Sequence, residues 1–192
     1  MKGLFIALGI ILLIVFVGGC GYNGMNSSQK DAQQAWADVQ SSYQRRSDLI
    51  PNLVATVKGV ANFEQTTLTQ VIQARASATS IKVDAKDLTP EKLQQFQASQ
   101  GQLSQALGRL MVVSEQYPQL KANENFKSLQ DQLEGTENRI KVSRDTYNKA
   151  VKDYNVKVSS FPNNILAGMF HFKEMEMFKA EADAQKAPKV QF

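Results

Sequence analysis

Six bulky residues, Phe126, Leu133, Ile140, Tyr147, Tyr154 and Phe161, recur every seven positions without a miss. Seven residues make two turns of α-helix, so the six form a stripe along one side of a single rod. Leu129, Ala150, Val151 and Val158 fill neighbouring seam positions. A helix of about 40 residues is roughly 60 Å long, and Pro162 is expected to stop it. A stripe of that length needs partner helices that cross it at a shallow angle.

The rest of the chain supplies them. From about Ser28 to Val60, the positions Trp36, Val39, Tyr43, Arg46, Ile50, Leu53, Val57 and Val60 alternate steps of three and four. Pro51 lies inside this run and leaves the carbonyl of Ser47 without its helical donor. The seam keeps phase across Pro51, so a helix kink is expected there. Asn62 is placed to cap a further stretch from Phe63 to about Thr79. Whether residues 28–79 form one bent helix or two stays open. Residues 79–89 read as a loop, and Thr89-Pro90-Glu91 as a helix start. Leu93, Phe96, Leu103, Leu107, Leu110 and Tyr117 form the next seam, ended by Tyr117-Pro118. A last short helix is expected within 164–184, with an extended tail over 186–192. The pattern as a whole predicts an all-α fold, an elongated antiparallel helical bundle occupying 29–185.

A second feature concerns location. Lys2 precedes an unbroken apolar run from Leu4 to Val17, followed by Gly18, Gly19 and Cys20. The run has the length of a signal-peptide core and, with the glycines, approaches the lower limit of a spanning helix. Residues 1–20 are therefore expected to be a signal or membrane-anchor segment, and 21–28 (GYNGMNSS) a short polar tether. Two attachments compete. Val17-Gly18-Gly19-Cys20 resembles a bacterial lipobox, which would make Cys20 a lipidation site. Alternatively Cys20 ends an uncleaved single-pass helix. The lipoprotein is the preferred reading. Two positive groups before the run and only Lys30 soon after it favour export of the bulk of the chain.

Composition excludes other classes. The formal charge of +4 is scattered, with no basic block interleaved with aromatics, so no nucleic-acid partner is expected. One cysteine allows no intrachain disulfide. One histidine, His171, is too few for a ferritin-like di-iron site, which needs two Glu-x-x-His motifs. His171 is expected to be packed or interfacial. No cofactor, metal site or catalytic residue is expected.

Three segments carry a family resemblance: YQRRSDLIPNLVATVKG (43–59), NENFKSLQDQLEGTENRIKVSRDTYNKAVKDYN (123–155) and FPNNI (161–165). With the Tyr22-Asn23 pair after the apolar run, they resemble the LemA family from residue 21 onward. The resemblance implies a bacterial membrane-attached protein with a helical-bundle domain and no established chemical activity. Family genes often neighbour those of membrane proteases or other envelope proteins, and some members help shape internal membranes. Gly19-Cys20 departs from the family pattern, in which many relatives continue a spanning helix.

Three places merit functional scrutiny. Arg46 falls at a core-facing seam position, and a buried guanidinium needs acceptors. Asp131, Glu134 and Glu137 on the long helix are candidate partners, and Arg46, Glu134 and Glu137 are expected to form a structural polar core. The alternative is a polar pocket for a ligand or a partner's side chain. Met169, Phe170, Phe172, Met175, Met177 and Phe178 are too many apolar residues for one narrow stripe. They are expected either to fold back onto the bundle or to contact a partner or the membrane. The expectation is therefore a membrane-anchored scaffold or interaction protein of the bacterial envelope. Its partners would be membrane lipid and envelope proteins. One alternative is an adaptor of a membrane protease. Another, of a different class, is an enzyme or metal-binding protein using mid-bundle carboxylates.

Overall fold

The computed structural model describes residues 2–60 and 63–179, with the side chains of 4, 5, 7, 10, 11 and 13–17 outside that description. Six α-helices follow in order: α1 (Lys2–Lys58), α2 (Gln65–Ser80), α3 (Pro90–Ser114), α4 (Pro118–Lys121), α5 (Glu124–Ser159) and α6 (Asn163–Phe170). A single 3-10 turn, Ala85–Asp87, lies between α2 and α3. Among the described residues there is no strand.

The long helices pair antiparallel. Trp36 packs on Tyr147, and one step further along α1 Arg46 meets Glu137 further back on α5. Ten residues forward on α1 thus match ten backward on α5. The expected α5 stripe from Phe126 through Tyr154 is buried throughout. It stops short of Phe161, which is 81% exposed. The helix ends at Ser159, before the stripe could reach its sixth member. Asn123 begins the helix by accepting a hydrogen bond from the Phe126 amide at 3.1 Å.

Residues 28–79 form two helices. α1 ends at Lys58, where the Gly59 amide donates back to Ala55 and Thr56, and α2 begins at Gln65 with Glu64 at the capping position. The expected cap Asn62 lies outside the described residues, as does the 186–192 tail. α1 is unbroken across Pro51, and Arg75 Nε of α2 donates to the freed Ser47 carbonyl at 3.0 Å. α3 starts as its sequence indicates, with Thr89 Oγ1 accepting from the Lys92 amide and Pro90 in the first turn. It ends at Ser114, so Tyr117 leaves the seam and packs on Phe63, ring centroids 4.8 Å apart.

Two expectations are corrected. Residues 21–28 are not a tether but part of α1. Glycine is a poor helix former, by about 1 kcal/mol, but tertiary contact outweighs it. Met25 and Ser28 are buried, and Lys157 Nζ donates to Ser28 Oγ. Gly21 sits so close to α6 that a β-carbon there would lie 2.7 Å from Asn163 Oδ1 and 2.9 Å from Leu166 Cδ1. The second correction concerns 164–184: the helix stops at Phe170, and residues 172–179 run as an extended strap.

Three apolar clusters lie in sequence along the rod. The distal one joins Leu53, Val57, Leu68, Leu110 and Phe126 where α1, α2, α3 and α5 run together. The central one gathers Trp36, Phe96, Tyr147 and Phe178. Nearest the N-terminal segment, Met25, Tyr154, Val158 and Ala167 form the third. α2 covers only the distal half, and the strap lies over the half that α2 leaves. Among the described residues, no helix is long and apolar enough to cross a membrane.

Candidate functional site

Arg46 is the most buried cation of the bundle core, 1% exposed on the inward seam of α1. Its Nη1 donates to Glu137 Oε1 of α5 and to Ser104 Oγ of α3 at 2.7 Å. Nη2 donates to the Gln100 side-chain oxygen at 2.7 Å and to the Gln100 carbonyl at 3.3 Å. Gln100 Nε2 in turn donates to the Ala78 carbonyl at the end of α2. One guanidinium therefore ties α1 to α3 and α5 directly, and to α2 through Gln100. A guanidinium suits this role because its planar fork serves several acceptors at once. The Tyr43 ring lies 5.1 Å from its central carbon and contributes a cation–π contact.

The expected partner set is narrowed. Glu137 pairs with Arg46, whereas Glu134 and Asp131 are exposed and point elsewhere. Glu137 borders the buried stripe of Leu133, Thr136 and Ile140, and residues 134 and 131 lie successively further round α5 toward solvent. Glu137 itself is half exposed, so solvent screens the pair and its net contribution is modest. Gln100, which the sequence reading missed, supplies the buried coordination, and Ser104, also missed, adds one bond from the exposed rim. The signal for Gln100 was present, as a polar residue at the α3 seam position between Phe96 and Leu103.

A cleft of about 270 Å³ opens beside this centre, lined by Tyr43, Arg46, Gln97, Ser104, Glu137 and Arg144, among others. Arg46 Nε is buried without a hydrogen-bond partner. Two guanidinium groups against one carboxylate give the lining a net positive charge, suited to a small acceptor-bearing group. Among the described residues, no three His, Cys, Asp or Glu side chains are grouped to hold a metal ion.

The strap is the second organised feature. Asn155 Nδ2 donates to the Met175 carbonyl at 2.9 Å, and the Met175 amide donates to Asn155 Oδ1 at 2.9 Å. Asn148 treats Phe178 identically, at 3.1 and 2.8 Å. Tyr154 and Tyr147 donate their hydroxyls to the carbonyls of Lys173 and Glu176. Two Tyr-Asn pairs seven residues apart on α5 thus satisfy an extended backbone that has no sheet neighbour. The spacing fits: seven helical residues rise about 10.5 Å, and three extended residues span about 10 Å. Burial pushes the Tyr147 hydroxyl well above the usual tyrosine range, and the Glu176 charge adds to it. Burial also raises Tyr154, partly opposed by its hydrogen bond from Gln29.

The apolar 169–178 residues divide. Phe178 is buried against Trp36 and Tyr147. Phe172 and Met175 are partly buried, and Met169, Phe170 and Met177 are exposed. His171 is exposed rather than packed and ends α6 in the left-handed conformation, φ 60°. Cys20 is exposed on α1.

Fold and site define an all-α bundle protein with a polar pocket between its central helices and a strap over the end from which α1 begins. The LemA family matches residues 35–192, and the chain belongs to that family. It is similar to Magnetosome protein MamQ 2 of Paramagnetospirillum magneticum, 28% identical over 82% of this chain and 64% of that protein. Magnetosome protein MamQ of Magnetospirillum gryphiswaldense is 26% identical over 91% of this chain and 71% of its own length. Protein LemA of Metamycoplasma hominis is 28% identical over 88% and 73% respectively. The chain therefore spans under two thirds of the first of these relatives.

Proposed function

We propose that this is a membrane-anchored helical interaction protein of the bacterial envelope, its bundle holding partner proteins close to lipid. One observation carries the reading. α1 passes without a break from the apolar N-terminal segment into the bundle core, and Ile6, Leu8 and Leu12 are exposed on it. Bare aliphatic side chains in a row on one helix are costly in water, at about 25 cal/mol per Å² of apolar surface. Lipid removes that cost. Because the same helix carries Trp36 and Arg46, the anchor and the core move as one rod.

The family and the magnetosome and LemA names of its relatives support a membrane-associated setting. In the alternative attachment the chain is cut before the exposed Cys20 and lipid on that residue takes the place of the apolar segment; in both forms the bulk of the chain is exported. The pocket at Arg46 offers a partner a positive, hydrogen-bonding recess, and no reaction is assigned to it. Crosslinking in intact cells, followed by identification of captured proteins, tests the proposal. Recovery of envelope proteins that Arg144→Glu at the pocket rim abolishes is the expected result. Capture of cytosolic proteins alone would overturn it.

A further inference from the structure

α6 has an unusual position. Asn163 and Leu166 both approach Gly21, Leu166 also lies 4.0 Å from the β-position of Gly18, and the Phe170 and Phe172 rings contact Tyr22 at 5.0 and 5.5 Å. An eight-residue helix is about 12 Å long. Lying alongside α1, it would meet about eight successive residues. Instead its two ends reach the same turn of α1, Asn163 meeting Gly21 and Phe170 meeting Tyr22. α6 therefore lies across α1, and it does so immediately after the apolar run ends at Val17.

The side of α6 turned away from the bundle is apolar. Phe161, just before it, is 81% exposed, Ile165 57% and Met169 68%, spaced four residues apart. The helix carries no charged residue. These are contiguous large hydrophobic side chains at the level where α1 would leave the hydrocarbon, which is a poor surface to show to water.

We propose that α6 and Phe161 form a second lipid contact, a short interfacial helix lying flat in the headgroup–acyl boundary. The inference rests on the anchor reading above and adds to it a defined footing for the bundle. A helix crossing α1 at the depth where the apolar run ends lies in the membrane plane when α1 stands along the normal, with its apolar face turned to the acyl chains. The footing does not depend on how the anchor ends. A lipidated Cys20 at a mature N-terminus would hold Gly21 and Tyr22, and hence α6, at the same depth. Two separate contacts limit tilting, so the Arg46 pocket and the distal cluster are held at fixed heights above the bilayer.

The test uses the full chain with Cys20→Ser and a single new cysteine, Ile165→Cys or Met169→Cys, labelled with an environment-sensitive nitrobenzoxadiazole dye. Each is reconstituted with phosphatidylcholine–phosphatidylglycerol vesicles carrying a doxyl quencher at a shallow acyl carbon. A label at Val112→Cys, exposed to water on the distal part of α3, serves as the lipid-free control. The expected result is co-flotation with vesicles, a blue-shifted emission at 165 and 169 that the shallow doxyl lipid largely quenches, and no quenching at 112. Co-flotation without quenching at 165 and 169 leaves the anchor standing and overturns the lipid footing. A blue shift without lipid quenching does the same, since protein then covers the face. Failure of both these chains and the native chain to float overturns both, and flotation of the native chain alone assigns the contact to Cys20 and overturns the footing.

Discussion

Arg75 on α2 donates its Nε to the carbonyl oxygen of Ser47 on α1 at 3.0 Å. That oxygen is the one Pro51 leaves without a helical donor. The proline thus turns a lost intrahelical bond into a link between neighbouring helices. Arg75→Met should destabilise the bundle by about 1–2 kcal/mol, because it leaves a buried acceptor unmatched. Pro51→Ala restores an amide at the right place, so the double variant should lose less than Arg75→Met alone. Urea unfolding of the four proteins of the cycle measures this coupling. Strict additivity would show that the Arg75 bond does not answer the proline.

Asn148 and Asn155 hold the strap by paired bonds that an amide can make and a carboxylate cannot, since the latter only accepts. Asn155→Asp should therefore weaken the strap almost as much as Asn155→Ala, each by about 1–3 kcal/mol. Hydrogen exchange of the 173–178 amides reports it directly. Faster exchange there, with α3 and α5 unchanged, is the expected pattern.

The strap should also respond to alkali. Both tyrosine hydroxyls lie above their ordinary value, near 10, because burial disfavours the phenolate. The unfolded chain releases these protons first as pH rises. The stabilisation is complete below the ordinary tyrosine value and is lost as pH climbs through the raised one. Melting temperature should therefore fall above about pH 10, and Tyr147→Phe should flatten that part of the profile. An unchanged slope would mean that Tyr147 is not the group responsible.

Arg46→Leu removes the donor that Gln100, Ser104 and Glu137 share. Glu137 can turn to water, but the Gln100 side-chain oxygen is enclosed, so a loss of about 2 kcal/mol is expected. The measurable effects are a lower melting temperature and weaker partner capture. A retained melting temperature together with a lost catalytic rate would contradict the structural role and revive an enzyme.

The period of seven made most of the long-helix core legible, because burial from Phe126 to Tyr154 depends only on one regular rod. It could not mark the end of the rod, since Phe161 keeps the period while the chain has already left the helix at Ser159. Arg46 was legible as buried from seam phase, with Asp131, Glu134 and Glu137 as candidate partners. Glu134 was not separable from Glu137 without knowing which way α5 turns toward α1. The strap escaped for another reason. Its conformation is set by side chains about twenty to thirty residues away, and only the repeated Tyr-Asn pair at 147–148 and 154–155 hinted at it. Residues 21–28 look like a linker by composition, yet Gly21 serves to let α6 approach α1.

The central claim is that the rod stands on lipid through the segment that begins α1. Separation of cells expressing the native chain into membrane and aqueous fractions, with an alkaline carbonate wash of the membranes, addresses it most directly. The account predicts that the protein stays in the washed pellet and leaves only with detergent. Recovery of the native chain entirely in the aqueous fraction would contradict it.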